Sequence, residues 1–191
     1  FKHTGKQDVK SSDSVKSADK DSLNDVILVE EIKKRFQGAD EHLKVENVPG
    51  GIRIQVMDLM DKPMFETGSA KFTQTALEIM EFIAMRISDI PGNILIEGHT
   101  DGTPYADVKY RSNWELSMDR ASAARVALLN NGVLSPRFRR VIAYAGTEPL
   151  IANDYFNPKN RRISIILLTD DIADIYKKKL ASENNEKSTQ H

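Results

Sequence analysis

Cysteine is absent from the 191 residues, which excludes disulfides and thiolate metal sites and is compatible with an oxidising compartment. No run of about eighteen apolar residues occurs, so no segment reads as a membrane-spanning helix. Neither sign of charge prevails: 27 Lys and Arg stand against 28 Asp and Glu, a formal net charge of −1. A nucleic-acid binder would carry a basic excess or stripe. Here the Lys-rich stretches lie near the two ends, mixed with acids, and no nucleic-acid partner is expected. The four histidines, at positions 3, 42, 99 and 191, are scattered, with no H-x-x-x-H spacing and no carboxylate cluster, so neither a metal nor a cofactor is expected.

The composition, 40% hydrophobic and 29% charged, is ordinary for a fold with a real core, and the length suits one domain with loose ends. The chain starts at Phe1 without an apolar signal segment, so it reads as an excised or processed piece.

Residues 1–20 are polar and Ser/Lys/Asp-rich, too poor in large apolar groups to offset ordering entropy, and read as a flexible linker. An N-terminal helical segment is expected over 21–42, with Leu23, Val26, Ile27, Ile32 and Phe36 near helical spacing and Gly38 closing it. Val45–Val48 and Ile52–Leu59, joined by Pro49-Gly50-Gly51, predict a hairpin. Helices are predicted over Thr73–Ser88, with Leu77, Met80, Ile83, Ala84 and Ile87 on one face, and from Trp114 to Asn130, with Ser112 and Glu115 as a capping box. Strands are expected at Asn93–Glu97, Arg140–Ala145 and Arg162–Leu168, the folded unit covering 43–169. A C-terminal helix and disordered tail would fill 170–191. The order predicts an α/β fold: a two-layer sandwich with helices packed on one face of a mixed β-sheet, built with right-handed crossovers.

Three polar clusters fall at element ends: Gly98-His99-Thr100-Asp101-Gly102, the helix start Ser112 to Ala121, and Asn160-Arg161-Arg162-Ile163-Ser164. Ligands usually lodge at such places in α/β sheets. Arg120 falls within the apolar stripe of Leu116, Ala123, Ala124, Ala127 and Leu128, and a guanidinium aimed at the packed side needs an anion. Asp101 is a candidate neighbour. Together they would read a zwitterion, Asp101 taking an ammonium and Arg120 a carboxylate; the alternative is an internal Asp101–Arg120 salt bridge with no ligand. His99 reads as a buried structural histidine. Neither Ser117 nor Ser69 has an activating base or a G-x-S-x-G context, so catalysis is not expected. Trp114 reads as packing rather than a sugar platform, and Arg139, Arg140 and Arg162 as solvated or paired charges.

The strings GHTDGTPY, SNWELSMDRASAARV, GTEPL and NRRISI resemble the OmpA-like peptidoglycan-binding domain over roughly Val45 to Leu168. MFETGSA, GHTDGTPY and SNWELS resemble more specifically the periplasmic C-terminal region of flagellar stator proteins of the MotB kind. The resemblance implies a non-catalytic anchor whose pocket holds a diaminopimelate-containing stem peptide. By position it implies ammonium binding at Asp101 and carboxylate binding at Arg120, a lining of Thr100, Asn113, Leu116 and Ser117, and a wall-binding or supporting role for Arg125 and Arg161. It also implies a homodimer, a MotA-like partner joined through a membrane segment outside this sequence, and the periplasmic side of an inner membrane. A generic OmpA-type wall tether without a motor is the other reading. Gly102 departs from the family pattern, which often has Asp or Asn there.

Overall fold

The computed structural model describes residues 34, 41–48, 51–90, 92–105 and 112–168. The expected linker and C-terminal helix lie outside them, as does the N-terminal helical segment apart from Lys34, Glu41 and His42. Five strands, β1 (Leu43–Val48), β2 (Gly51–Met57), β3 (Ile94–His99), β4 (Phe138–Ala145) and β5 (Arg162–Leu168), form one sheet in the order β1-β2-β5-β3-β4. Helix α1 (Gln74–Ile87) connects β2 to β3, and α2 (Asn113–Asn130) connects β3 to β4. The β1–β2, β2–β5 and β5–β3 pairs are antiparallel, and β3–β4 is parallel. This is the expected mixed sheet with two helices.

The hairpin register, Val45 opposite Ile54, follows from alternation in β2. Ile52, Ile54 and Val56 are buried in one core with Ile94, Ile96, Ile163, Ile165 and Leu167 from β3 and β5. The two helices close that core. On α1 the buried stripe is Ala76, Ile79, Met80, Ile83, Ala84 and Ile87. Leu77, expected on this face, is instead 44% exposed; one residue is about 100° of helix, and the stripe centres on Ile79/Ile83. Thr73 caps α1 by accepting from the Ala76 amide at 3.3 Å while its own hydroxyl donates to the Pro63 carbonyl at 2.9 Å.

The predicted capping box opens α2: the Ser112 hydroxyl accepts from the Trp114 amide at 3.2 Å, and the Glu115 carboxylate accepts from the Ser112 amide at 2.6 Å. Gly132 ends the helix at φ +94°, a conformation unfavourable for residues with a Cβ. The buried stripe of α2 is Leu116, Ser117, Arg120, Ala121, Ala124, Ala127 and Leu128, so Ala121 takes the place expected for Ala123. Gly98 sets how closely α2 approaches β3, because a Cβ there would lie 2.0 Å from the Ser117 carbonyl oxygen. That contact fixes the start of α2 against the end of β3.

Candidate functional site

At the C-terminal end of β3, adjoining the N-terminal half of α2, lies a cavity of about 600 Å³. Of the residues expected to form a site, Thr100, Asp101, Asn113, Leu116, Arg120 and Arg161 line it. The three polar clusters therefore meet in one hollow. They are joined there by residues that sequence reasoning left without a role: Asp58, Pro63, Phe65, Thr67, Gly68, Thr103, Pro104 and Tyr105. The strings MFETGSA and GHTDGTPY pointed at most of these. Asp58 carried no signal, because the expected strand ran on to Leu59, whereas β2 ends at Met57 and leaves Asp58 at its end.

Asp101 and Arg120 share the cavity but form no ion pair with each other. Asp101 instead accepts from Arg161 Nη1 at 2.7 Å through Oδ2 and from the Thr103 amide at 3.1 Å through Oδ1. The same guanidinium donates through Nε to Asp58 Oδ2 at 2.7 Å, while Asp58 Oδ1 accepts from the Met64 amide at 2.6 Å. Arg161 thus bridges two buried carboxylates. Burial works against its charge, but the bonds from Asp58 and Asp101 outweigh that and raise its pKa.

Arg120 is 4% exposed. Its Nε donates to the Ser69 carbonyl at 2.9 Å, and its guanidinium lies 4.6 Å from the centroid of the Phe65 ring. Phe65 in turn stacks on Phe72 at 4.5 Å, across the turn that carries Ser69. The side chain is held along its length, yet its terminal Nη groups make no hydrogen bond or ion pair with a described residue. Burial lowers its pKa, with Arg161 acting in the same direction and Asp58 and Asp101 opposing. An anion placed at those nitrogens would relieve the cost of a buried charge.

The remaining lining groups shape the walls. The Asn113 amide donates to the Thr103 carbonyl at 3.0 Å, tying the loop after β3 to the start of α2. The Tyr105 hydroxyl donates to the Gly68 carbonyl at 2.9 Å, joining that loop to the 65–72 turn. Thr100 is bonded from its amide to the Ala145 carbonyl at 2.8 Å.

Two expected site residues stand elsewhere. Ser117 is fully buried beneath the site, its hydroxyl donating to the Trp114 carbonyl at 2.9 Å and accepting from the Ala145 amide at 3.1 Å. Ala145 has φ 49°, an uncommon conformation for a residue with a Cβ, and Ser117 satisfies its amide there. Arg125 lies outside the lining: five residues beyond Arg120 rotate a helical side chain by about 140°. Two further readings need correction. Trp114 is 51% exposed rather than packed. Arg162 is buried on the sheet face away from the helices, donating to the Glu148 carbonyl at 3.1 Å, and burial pushes its pKa down to about 10. His99 is buried as expected, stacked on Tyr144 with centroids 5.0 Å apart and an interplanar angle of 8°.

The OmpA family model matches residues 64–162, which include every residue lining the cavity except Asp58 and Pro63. Motility protein B of Escherichia coli (strain K12) is 43% identical over 128 residues, covering 66% of this chain and 42% of that protein. The chain thus spans less than half the length of that relative. Among solved structures, the periplasmic domain of Helicobacter pylori MotB is 26% identical with a TM-score of 0.60, covering 77% of this chain and 91% of the other. The cell wall anchor of the type VI secretion system from Pseudomonas aeruginosa, 24% identical with a TM-score of 0.59 over 73% of this chain and 96% of the other, shares the fold. On the strength of the family match, the chain belongs to the OmpA family.

Proposed function

We propose that this chain is the peptidoglycan-binding anchor of a MotB-type flagellar stator, acting on the periplasmic side of the inner membrane and without catalysis of its own. Its likeness to Motility protein B and to a MotB periplasmic domain supports the motor reading over a generic wall tether. The observation that carries the binding reading is the pairing in one hollow of a guanidinium whose terminal donors meet no partner among the described residues and a carboxylate held in place from behind. A diaminopimelate-containing stem peptide presents the complementary charges. Its carboxylate would meet Arg120 in bidentate geometry, and its ammonium would meet Asp101.

The role is mechanical. Asp58 follows β2 directly, and its amide donates to the Arg161 carbonyl at 2.9 Å. The cavity is therefore bonded to the hairpin through which load from a preceding segment would arrive. A static grip on the wall lets an ion-driven partner of the MotA kind, in a dimeric complex, push on a rotor. Arg161 acts in this scheme by fixing Asp101, with Asp58 as its second support.

The test is a pull-down of the folded chain on purified sacculi. Asp101→Asn and Arg120→Ala are expected to lose retention while keeping the circular dichroism of the parent. Retention by both variants removes the assignment. Release of soluble fragments from the sacculi would overturn the non-catalytic reading.

A further inference from the structure

The loop between β4 and β5 presents two aromatic residues to solvent, Tyr155 at 53% and Phe156 at 66% exposure. Exposed rings on a loop usually carry no meaning, but this loop is built rather than slack. Asn160, fully buried, donates to the Asp154 carbonyl at 2.8 Å and to the Tyr155 carbonyl at 3.3 Å, and accepts from the Ile151 amide at 2.8 Å. Asp154 accepts from the Phe156 amide at 3.3 Å and from the Asn157 side chain at 3.1 Å.

The loop is also fastened to the cavity wall. The Gly102 amide donates to the Tyr155 carbonyl at 2.8 Å, and Gly102 sits between Asp101 and Thr103, both of which line the cavity. A Cβ at position 102 would stand 3.2 Å from Tyr155 Cβ and Cδ1. The glycine that departs from the family pattern thus leaves room for this ring to lie against the cavity loop.

We propose that Tyr155 and Phe156 form a sugar-stacking subsite, which takes a pyranose of the glycan strand whose stem peptide occupies the cavity. The inference rests on the stem-peptide reading and extends it from the peptide to the glycan. A pyranose offers an apolar C–H face to an aromatic ring and hydroxyls to polar neighbours, and the exposed polar residues Asn153 and Asp154 directly precede the two rings in the loop. A protein partner fits less well. Specific protein interfaces bury about 800 Å² per partner around an apolar centre, whereas the other exposed residues of this stretch of the loop, Ala152, Asn153, Asp154 and Lys159, include no large apolar side chain.

The test compares the affinity of the chain for a disaccharide–peptide fragment of peptidoglycan with its affinity for the same peptide lacking sugar. The fragment is expected to bind roughly 2- to 12-fold tighter, taking the span of one aromatic–aromatic contact as the scale for a ring on a sugar face. Tyr155→Ala combined with Phe156→Ala should bring that ratio to about one, while Tyr155→Phe and Phe156→Tyr, which keep the rings, preserve it. In the parent chain, ring resonances of Tyr155 and Phe156 should shift with the fragment and not with the bare peptide. Equal affinities in the parent, or a ratio that survives loss of both rings, overturns the subsite and leaves the cavity reading standing. Failure of the parent to bind either compound overturns both.

Discussion

Ser117 and His99 show how a buried polar side chain in this protein is explained by its own neighbours. The Ser117 hydroxyl is the acceptor for a buried amide at a strained residue, so Ser117→Ala leaves the Ala145 N–H without a partner. The expected loss is about 1–3 kcal/mol, read as a lower midpoint in chemical denaturation, with sacculus binding persisting in the fraction that stays folded. Neither ring nitrogen of His99 finds a partner within hydrogen-bond distance among the described residues, and Glu97 Oε2 is 3.8 Å from its Nε2. Burial depresses its pKa, Arg162 adds to that, and Glu97 and Glu148 oppose it. The folded state therefore prefers the neutral ring, whereas in the unfolded chain it titrates near about 6.5. Below that pH the unfolded state takes up a proton that the folded state resists, so this contribution is present above about 6.5 and is lost as the pH falls. Denaturation midpoints at about pH 7.5 and about pH 5.5 should differ less in His99→Phe than in the parent.

Among the elements, α2 carries the heaviest duty, since it brings Asn113, Leu116 and Arg120 to the cavity and Ser117 to the sheet. Its start is set by the capping box and its depth by Gly98. Ser112→Ala is expected to cost about 1 kcal/mol, visible in thermal melts. Gly98→Ala places a methyl 2.0 Å from a backbone oxygen, where no side chain can yield. The helix must shift, at a cost of at least about 1–3 kcal/mol. Sacculus binding should fall in that variant even under conditions where circular dichroism reports a fold, because Arg120 moves with the helix. Position along these elements was readable from periodicity and caps. Their facing was less so: Leu77 and Ala76 are both apolar, and only packing against the sheet selects Ala76.

At the scale of the whole molecule, the site is a meeting of distant segments. Residues 58–68, 100–105, 113–120 and 161 converge because β5 inserts between β2 and β3, placing Arg161, at its entry, beside both Asp58 and Asp101. Asp58→Asn is expected to weaken sacculus binding several-fold. Without the second carboxylate, Arg161 is free to turn both arms on Asp101 and compete with a ligand ammonium. Asp58→Glu, which keeps the charge, should restore part of the binding. Equal binding by Asp58→Asn and the parent would separate Asp58 from the site.

Local rules determined much in advance. Alternation in β2, the Ser112 cap and the breaks at Pro91-Gly92 and Gly132 mark out the strands and helices, and three polar strings at their ends mark where a site should be. These signals are local, carried by residues a few positions apart. Tertiary structure alone decided which charges pair. Asp101 and Arg120 were natural partners by type and by place, yet Arg161, 60 residues from Asp101 in the chain, takes Asp101, and the terminal donors of Arg120 meet no partner among the described residues. Charge pairing depends on distances of a few ångströms between segments, and strand order sets those distances without any trace in local periodicity.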